Sequence, residues 1–361
     1  MKGKLLIMDA GSFRTFGGAA KTAYDTYIYF KNRGYAVDLF GDFSKLDNKV
    51  KPVEVSGLSP GLYDAVFMNS IRDVPVVRSL LRPASHTRFI YTDRGNVIIN
   101  SKKAGVRRVL PKMIARELLA REMRKWLDIY VAITADQEEA ARRFFSGATR
   151  VVAISNWYSP DFRKMKGRNL GNAIYVGRLD ERQKKVRFLI EGIREFVDRN
   201  PRLSGKTLLR IVGSGPDEQS CKSLSMRLGL GKNISFHSFV SRDELIRLYN
   251  DSAFFVSSSE WEGMAGTFVE AMACGLPLLI NERNNTLLGI RPKKSLVENR
   301  INGLIYRYGD LDSFAGEFGM LYFDSEMRKR MGKNALRLSH RFSMESSMRK
   351  YERLVSGSHL P

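Results

Sequence analysis

The sequence predicts an α/β protein built from two doubly wound, parallel-sheet domains. Three observations carry that expectation. The chain has 361 residues, long enough for two ordinary domains with a core each. Short apolar, β-branched runs alternate with longer amphipathic stretches in both halves, the pattern of parallel strands joined by helices. Between the halves lies a polar stretch, Arg163 to Asn172 (RKMKGRNLGN), whose composition suits an exposed linker. The domains are therefore placed at 1–168 and 169–342, with a final helix in 343–361.

In the first half the strand candidates are KLLIMDA, AVDLFG, DAVFMNS, TRFIYTD, IYVAIT and RVVAIS, and Lys21 to Arg33 and Gln137 to Phe145 read as helices between them. The opening MKGKLLIMDAGS has too short an apolar core for a signal peptide and reads as the first strand. The second half opens with NAIYVGRL and continues through LLRIVGSG, ISFHSF, AFFVSSS and LPLLIN, again with helices between. Asn302-Gly303-Leu304-Ile305 and Gly309-Asp310 then lead into a helical run to Phe342 and an amphipathic helix near Ser343 to Leu354. No segment approaches the roughly 18 apolar residues of a spanning helix. Cys221 and Cys274 are too few and too separated for a disulfide framework or a metal site. A cytoplasmic protein is expected.

The net charge is +22, with the excess heavier in the first half, which points to an anionic partner. The densest basic cluster, Lys102 to Lys125, includes Arg107, Arg108, Lys112, Arg116 and Arg121, interleaved with apolar residues at broadly helical spacing after Pro111. Such a surface can lie on anionic lipid, each nearby cation contributing about 1 kcal/mol. The same pattern also describes a core-facing helix whose polar side is basic. A peripheral position on the inner face of the membrane follows from the first reading.

The most informative stretch is Ser259 to Pro277, SEWEGMAGTFVEAMACGLP. Glu262 and Glu270 stand with seven residues between them, after a strand and at the start of a small-residue helix. Carboxylates accept strong hydrogen bonds from sugar hydroxyls, and a helix N-terminus suits a phosphate. One corner able to hold both is what a nucleotide-sugar needs. Upstream, Val176-Gly177-Arg178-Leu179 ends a strand, and Lys184 and Lys185 follow. Cations there can offset the charge that develops on a departing diphosphate. There are only four histidines and no cluster of them, so no metal or other cofactor is expected.

These motifs resemble glycosyltransferase family 4, and the resemblance covers most of the chain. It implies the GT-B fold: two Rossmann-like, doubly wound domains facing a central cleft, with retaining chemistry on a nucleotide-sugar. By that resemblance Arg178 and Lys184 bind the donor diphosphate, Glu262 contacts the transferred sugar and Glu270 the ribose hydroxyls. Lys185 stands where the family usually has glycine. Gly263, Met264, Ala265, Gly266 and Thr267 form the loop and helix start at the donor. Gly177, the Gly213-Ser214-Gly215-Pro216 turn, and His237 and Phe239 of the stretch HSFV are carried over as donor-side positions, as are Gly17 and Gly18 of the first glycine-rich loop. Where the family often has a histidine after the strand RFIY, this chain has Thr92-Asp93-Arg94-Gly95. Asp93 could face the acceptor hydroxyl, Arg94 could bind an anionic acceptor, or Asp93 could cap a turn before Gly95.

The expected activity is therefore transfer of a sugar to a glycan acceptor, lipid-linked or of the cell envelope. A polyanion- or nucleic-acid-binding protein on the same scaffold would also explain the charge, but no nucleic-acid module appears and no nucleic-acid partner is expected. A transferase acting on a small soluble acceptor is the other alternative.

Overall fold

The computed structural model describes residues 2–13, 18–44, 46–59, 61–81, 86–94, 110–145, 147–167, 170–238, 240–285 and 295–357, excepting the side chains of 80–81 and 110–116. The chain divides into two compact units. One holds Met1–Ser155 and Glu345–Pro361, the other Asn156–Thr286 and Lys294–Met344. The division thus falls at Ser155, ahead of the stretch expected to be a linker. That stretch is held inside the second unit: Asn250 Oδ1 accepts from Met165 N–H at 2.7 Å, and Leu170 N–H donates to Asp251 O at 2.9 Å.

The first unit contains β1 (Lys4–Asp9), α1 (Gly18–Asn32), β2 (Ala36–Gly41), β3 (Ala65–Met68), α2 (Asp73–Val76), β4 (Arg88–Thr92), α3 (Leu110–Met123), β5 (Ile129–Ala132), α4 (Ala135–Phe144) and β6 (Arg150–Ala153). Its six strands are parallel in the order β2-β1-β3-β4-β5-β6. The strands are short and nearly all buried because helices cover both faces, so their apolar residues run continuously instead of alternating. α4 starts where Thr134 accepts a hydrogen bond from Gln137 N–H, and it carries acids in its first turn and arginines in its last.

The second unit contains β7 (Ala173–Val176), α5 (Val186–Arg199), β8 (Leu209–Val212), α6 (Glu218–Arg227), β9 (Ile234–His237), α7 (Arg242–Asp251), β10 (Phe254–Val256), α8 (Gly266–Ala273), β11 (Leu278–Asn281), β12 (Gly303–Tyr306), α9 (Leu311–Phe323) and α10 (Ser325–Ser339). Its parallel order is β12-β11-β10-β7-β8-β9. The chain runs from β7 to one edge, returns, and runs from β10 to the other. The carboxyl ends of β7 and β10 therefore diverge, which is where doubly wound sheets bind ligands. β12 was not among the strand candidates. Its four residues GLIY give a weak signal, and the strand exists because Gly303 lets it lie against β11: a Cβ there would meet Leu278 O at 2.3 Å. Phe196, Phe254, Phe314 and Phe318 fill the core between α5, α9 and the sheet.

The last helix, α11 (Met344–Ser356), belongs from Glu345 onward to the first unit. Tyr351 is buried against Phe67 and its hydroxyl lies 3.1 Å from Thr92 Oγ1, while Arg33 pairs with Glu345 at 2.8 Å.

In the first sheet the order reverses between β1 and β3, and the two loops there are tied by one buried carboxylate. Asp73 Oδ1 accepts from Ala10 N–H at 2.6 Å, and Oδ2 from Asn69 and Ser70 N–H at 2.9 and 2.8 Å. Burial pushes its carboxyl up to about 7, helped by nearby Asp9 and opposed by those N–H donors. An amide at this position would present NH₂ to at least one of the N–H groups. Asp73→Asn is therefore expected to destabilise the fold by about 1–3 kcal/mol, one buried donor left unmet. A urea midpoint that does not move would show that these loops do not depend on the carboxylate.

Candidate active site

The loop after β7 owes its shape to glycines. Gly177 N–H donates to Val212 O and Leu179 N–H to Ser214 O, both at 3.0 Å, so the segments leaving β7 and β8 run side by side. A Cβ on Gly213 would lie 2.1 Å from Gly177 O, and one on Gly215 2.2 Å from Leu179 O. Gly213 also has φ +135°, a conformation that side chains strain to adopt. Its observed part is in this backbone contact, and its N–H donates to His237 O at 2.8 Å.

Beyond Gly177 the loop turns basic. Arg178 is 57% exposed and donates from Nη2 to Asp180 Oδ2 at 2.5 Å; Arg182 reaches the same oxygen at 2.9 Å. The Arg182 hydrogen bonds, with Arg178 beside them, hold the Asp180 carboxyl down to about 2. Asp180 therefore stays ionised and fixes the start of the loop. Lys185 occupies the left-handed region at φ 49°, which explains why glycine suits this place in the family pattern. Its Nζ pairs with Glu260 at 3.2 Å.

Lys184 and Glu262 form an ion pair, with side chains only 18% and 8% exposed. It joins the loop after β7 to the loop after β10. The same two loops are sewn together by Ser258 Oγ donating to Lys184 O at 2.8 Å, Glu260 N–H to Gln183 O at 2.7 Å, and Gln183 Nε2 to Trp261 O at 3.1 Å. Burial, then the charge of Glu262, pushes the Tyr175 phenol well above its usual range, so Tyr175 stays neutral beneath the pair.

Sequence reasoning missed the groups that support this loop. Asn281 Nδ2 donates to Ser259 O at 2.8 Å, Asn284 Nδ2 donates to the same oxygen, and Tyr306 OH donates to Ser257 O at 2.9 Å. The available signal was a serine run directly after an apolar strand, whose buried backbone needs partners.

α8 starts at Gly266. Its N-cap residue, Ala265, supplies no side-chain cap, so the cap itself leaves the first N–H groups to other partners, an anion among them. Met264 is buried and its carbonyl accepts from Asn156 Nδ2 at 2.6 Å, while Gly263 lies in the same loop. Glu270 follows Gly266 by one helical turn and is 6% exposed, with Tyr249 OH 3.4 Å from its Oε2. His237 closes edge strand β9, where burial and nearby Arg210 lower its pKa.

In the first unit Gly18 opens α1. Asp93, one residue past the end of β4, is fully buried, and Tyr130 OH donates to its Oδ2 at 2.5 Å. Arg94 Nε donates to Asn69 Oδ1 at 3.3 Å. Gly17, Phe239, Arg107 and Arg108 lie outside the described residues, as do the side chains of Lys112 and Arg116. Arg121 is on α3, exposed and paired with Glu117 at 2.8 Å.

Solved structures with this architecture exist along the whole chain. Sucrose-phosphate synthase from Thermosynechococcus elongatus superposes with a TM-score of 0.76 at 16% identity, covering 98% of this chain and 99% of its own. HepE of Anabaena, solved in complex with UDP-glucose, gives 0.75 at 17% identity, covering 98% and 100%. The fold is GT-B. Residues 162–338 match the family model described as glycosyl transferases group 1, a match that falls almost entirely within the second unit. Among curated proteins, the lipopolysaccharide 1,6-galactosyltransferase of Salmonella typhimurium is 29% identical over 147 residues, 40% of this chain and 37% of that protein. The chain thus aligns with well under two thirds of the length of the first curated relatives it matches.

Proposed function

We propose that this chain is a retaining, metal-independent glycosyltransferase of family 4 that moves a sugar from a nucleotide-diphosphate donor to a lipid-linked or cell-envelope glycan. The observation that carries the reading is the part-buried Lys184–Glu262 pair joining the loops after β7 and β10, at the divergence of strand order where ligands bind. In the reaction the bond between the anomeric carbon and the diphosphate oxygen breaks with its electron pair left on that oxygen, and the acceptor oxygen bonds to that carbon and passes its proton to the departing diphosphate. Negative charge grows on the departing diphosphate. Arg178 and Lys184 offset it, the first as a planar fork and the second as a point charge already oriented by Glu262. Glu262 accepts from hydroxyls of the transferred sugar, and Glu270 from the ribose.

The UDP-glucose complex of HepE supports a nucleotide-sugar donor, and the lipopolysaccharide galactosyltransferase supports a glycan acceptor. Among the described residues no helix is long and apolar enough to cross a membrane. Peripheral attachment through the basic segment 102–125 remains part of the proposal.

A thermal-shift screen of UDP-, GDP-, ADP- and dTDP-sugars identifies the donor, because a ligand bound only by the native state raises the melting temperature. NMR of the product should show the donor's anomeric configuration kept. An inverted product would sink the retaining assignment, and activity abolished by EDTA and restored by a divalent cation would sink the metal-free one. Glu270→Ala should weaken donor binding by about 1.5–3 kcal/mol, roughly 10- to 150-fold in Kd, since ribose hydroxyls lose a charged acceptor. Unchanged affinity in a variant that melts normally would remove Glu270 from the ribose.

A further inference from the structure

The proposed donor loops leave the carboxyl ends of the second sheet. At the amino ends of β10 and β11 the same unit holds a separate cavity of about 480 Å³, bordered by Ser252 and Ala253 on one strand approach and Gly275 and Leu276 on the other. Lys164, Lys166, Arg328, Lys329 and Lys333 line it, and no aspartate or glutamate does.

The walls are built, not incidental. Asn250 Nδ2 donates to Arg163 O at 3.1 Å and its Oδ1 takes Met165 N–H at 2.7 Å, pinning the lysine-bearing loop to the end of α7. Gly167 permits that approach, since a Cβ there would lie 1.9 Å from Asn250 O. Gly332 does the same for α10, where a Cβ would lie 2.4 Å from Gly275 O. Arg328 is fixed by donating from Nη1 to Leu321 O at 2.5 Å and Tyr322 O at 2.7 Å.

Five cations around one cavity repel each other unless counter-charge is present. Lys329 has Glu326 at 2.7 Å. Lys164, Lys166 and Lys333 have no carboxylate partner among the described residues. Two glycine-mediated contacts hold the cations in place even so. The cavity volume falls within the range of small-molecule sites, and a fork beside several point charges is the donor set that phosphate oxygens take.

We propose that this cavity binds phosphate esters, at a site separate from the donor loops and independent of the reading given for them. The chemistry is shared by a soluble phosphorylated ligand and a phospholipid headgroup, and the two can be told apart. Inorganic pyrophosphate is titrated calorimetrically into an Arg178→Ala/Lys184→Ala/Glu262→Gln background, in which Glu262 is not left as an unpaired carboxylate and binding at the donor loops does not report. Saturable binding is expected, weakened roughly tenfold or more by adding Lys166→Gln and Lys333→Gln. Both lysines are exposed, so the variant should melt like its parent without anion; Lys333→Gln alone provides a milder second measurement. In parallel the wild type and the lysine variant are sedimented with phosphatidylcholine vesicles with and without phosphatidic acid. Sedimentation with the acidic vesicles that the variant loses assigns a lipid headgroup. Pyrophosphate binding without vesicle binding assigns a soluble phosphate ester. No saturable pyrophosphate binding, or binding indifferent to the lysine changes, overturns the site.

Discussion

Lys184→Ala is expected to lower turnover by roughly 10²- to 10³-fold, the loss seen when one preorganised charge is taken from a developing oxyanion. The reason is local. Lys184 is mostly buried and held by Glu262, so its charge is oriented before the donor arrives and needs little reorganisation when the diphosphate departs. Its effect should fall on kcat more than on KM, because the charge it meets grows at the transition state. A second consequence separates chemistry from folding. Removing the lysine leaves Glu262 buried without its cation, which costs about 3–5 kcal/mol when a buried pair is broken from one side. Lys184→Ala/Glu262→Gln should therefore melt higher than Lys184→Ala and remain inactive. A single variant with near-normal kcat would remove Lys184 from the reaction.

Gly213→Ala is expected to destabilise the second unit by about 2–5 kcal/mol, combining a strained backbone angle with an overpacked contact. The added Cβ would lie 2.1 Å from Gly177 O at a residue with φ +135°. The contact is backbone to side chain, so no flexible chain end can swing away. Gly215→Ala meets Leu179 O at 2.2 Å but has no left-handed φ, and should cost less. Gly266→Ala, with nothing within 4 Å of the new Cβ, should leave stability within about 0.5 kcal/mol. Equal urea midpoints for all three would show that the loops after β7 and β8 do not need the close approach the glycines allow.

Much of this was legible in the residues. Apolar strand runs and amphipathic stretches gave eleven of the strands nearly at their observed positions, because parallel strands covered on both faces carry continuous apolar sequence. The placement of the candidate residues was legible where spacing encodes it: Glu262 stands on the loop after β10, Glu270 in α8, and Arg178 and Lys184 on the loop after β7.

Other features depended on contacts between segments distant in sequence. Asp93 stands beside a glycine in sequence, and its burial against Tyr130, just past the end of β4, could not be read from that spacing. The support of the loop after β10 by Asn281, Asn284 and Tyr306 joins strands whose adjacency follows from sheet order, which residue spacing does not encode. The polar stretch at 163–172 reads as a linker by composition, but Asn250, more than 70 residues on, binds its backbone. The sequence by itself determined the class of fold, the strand-and-helix alternation and the spacing of acids and bases on the segments after β7 and β10, because each is written in local periodicity or short spacing. The tertiary structure alone decided which charges are paired, which carboxylate is buried and where five separate cations share one cavity, because electrostatic environment is set by neighbours that sequence order does not place together.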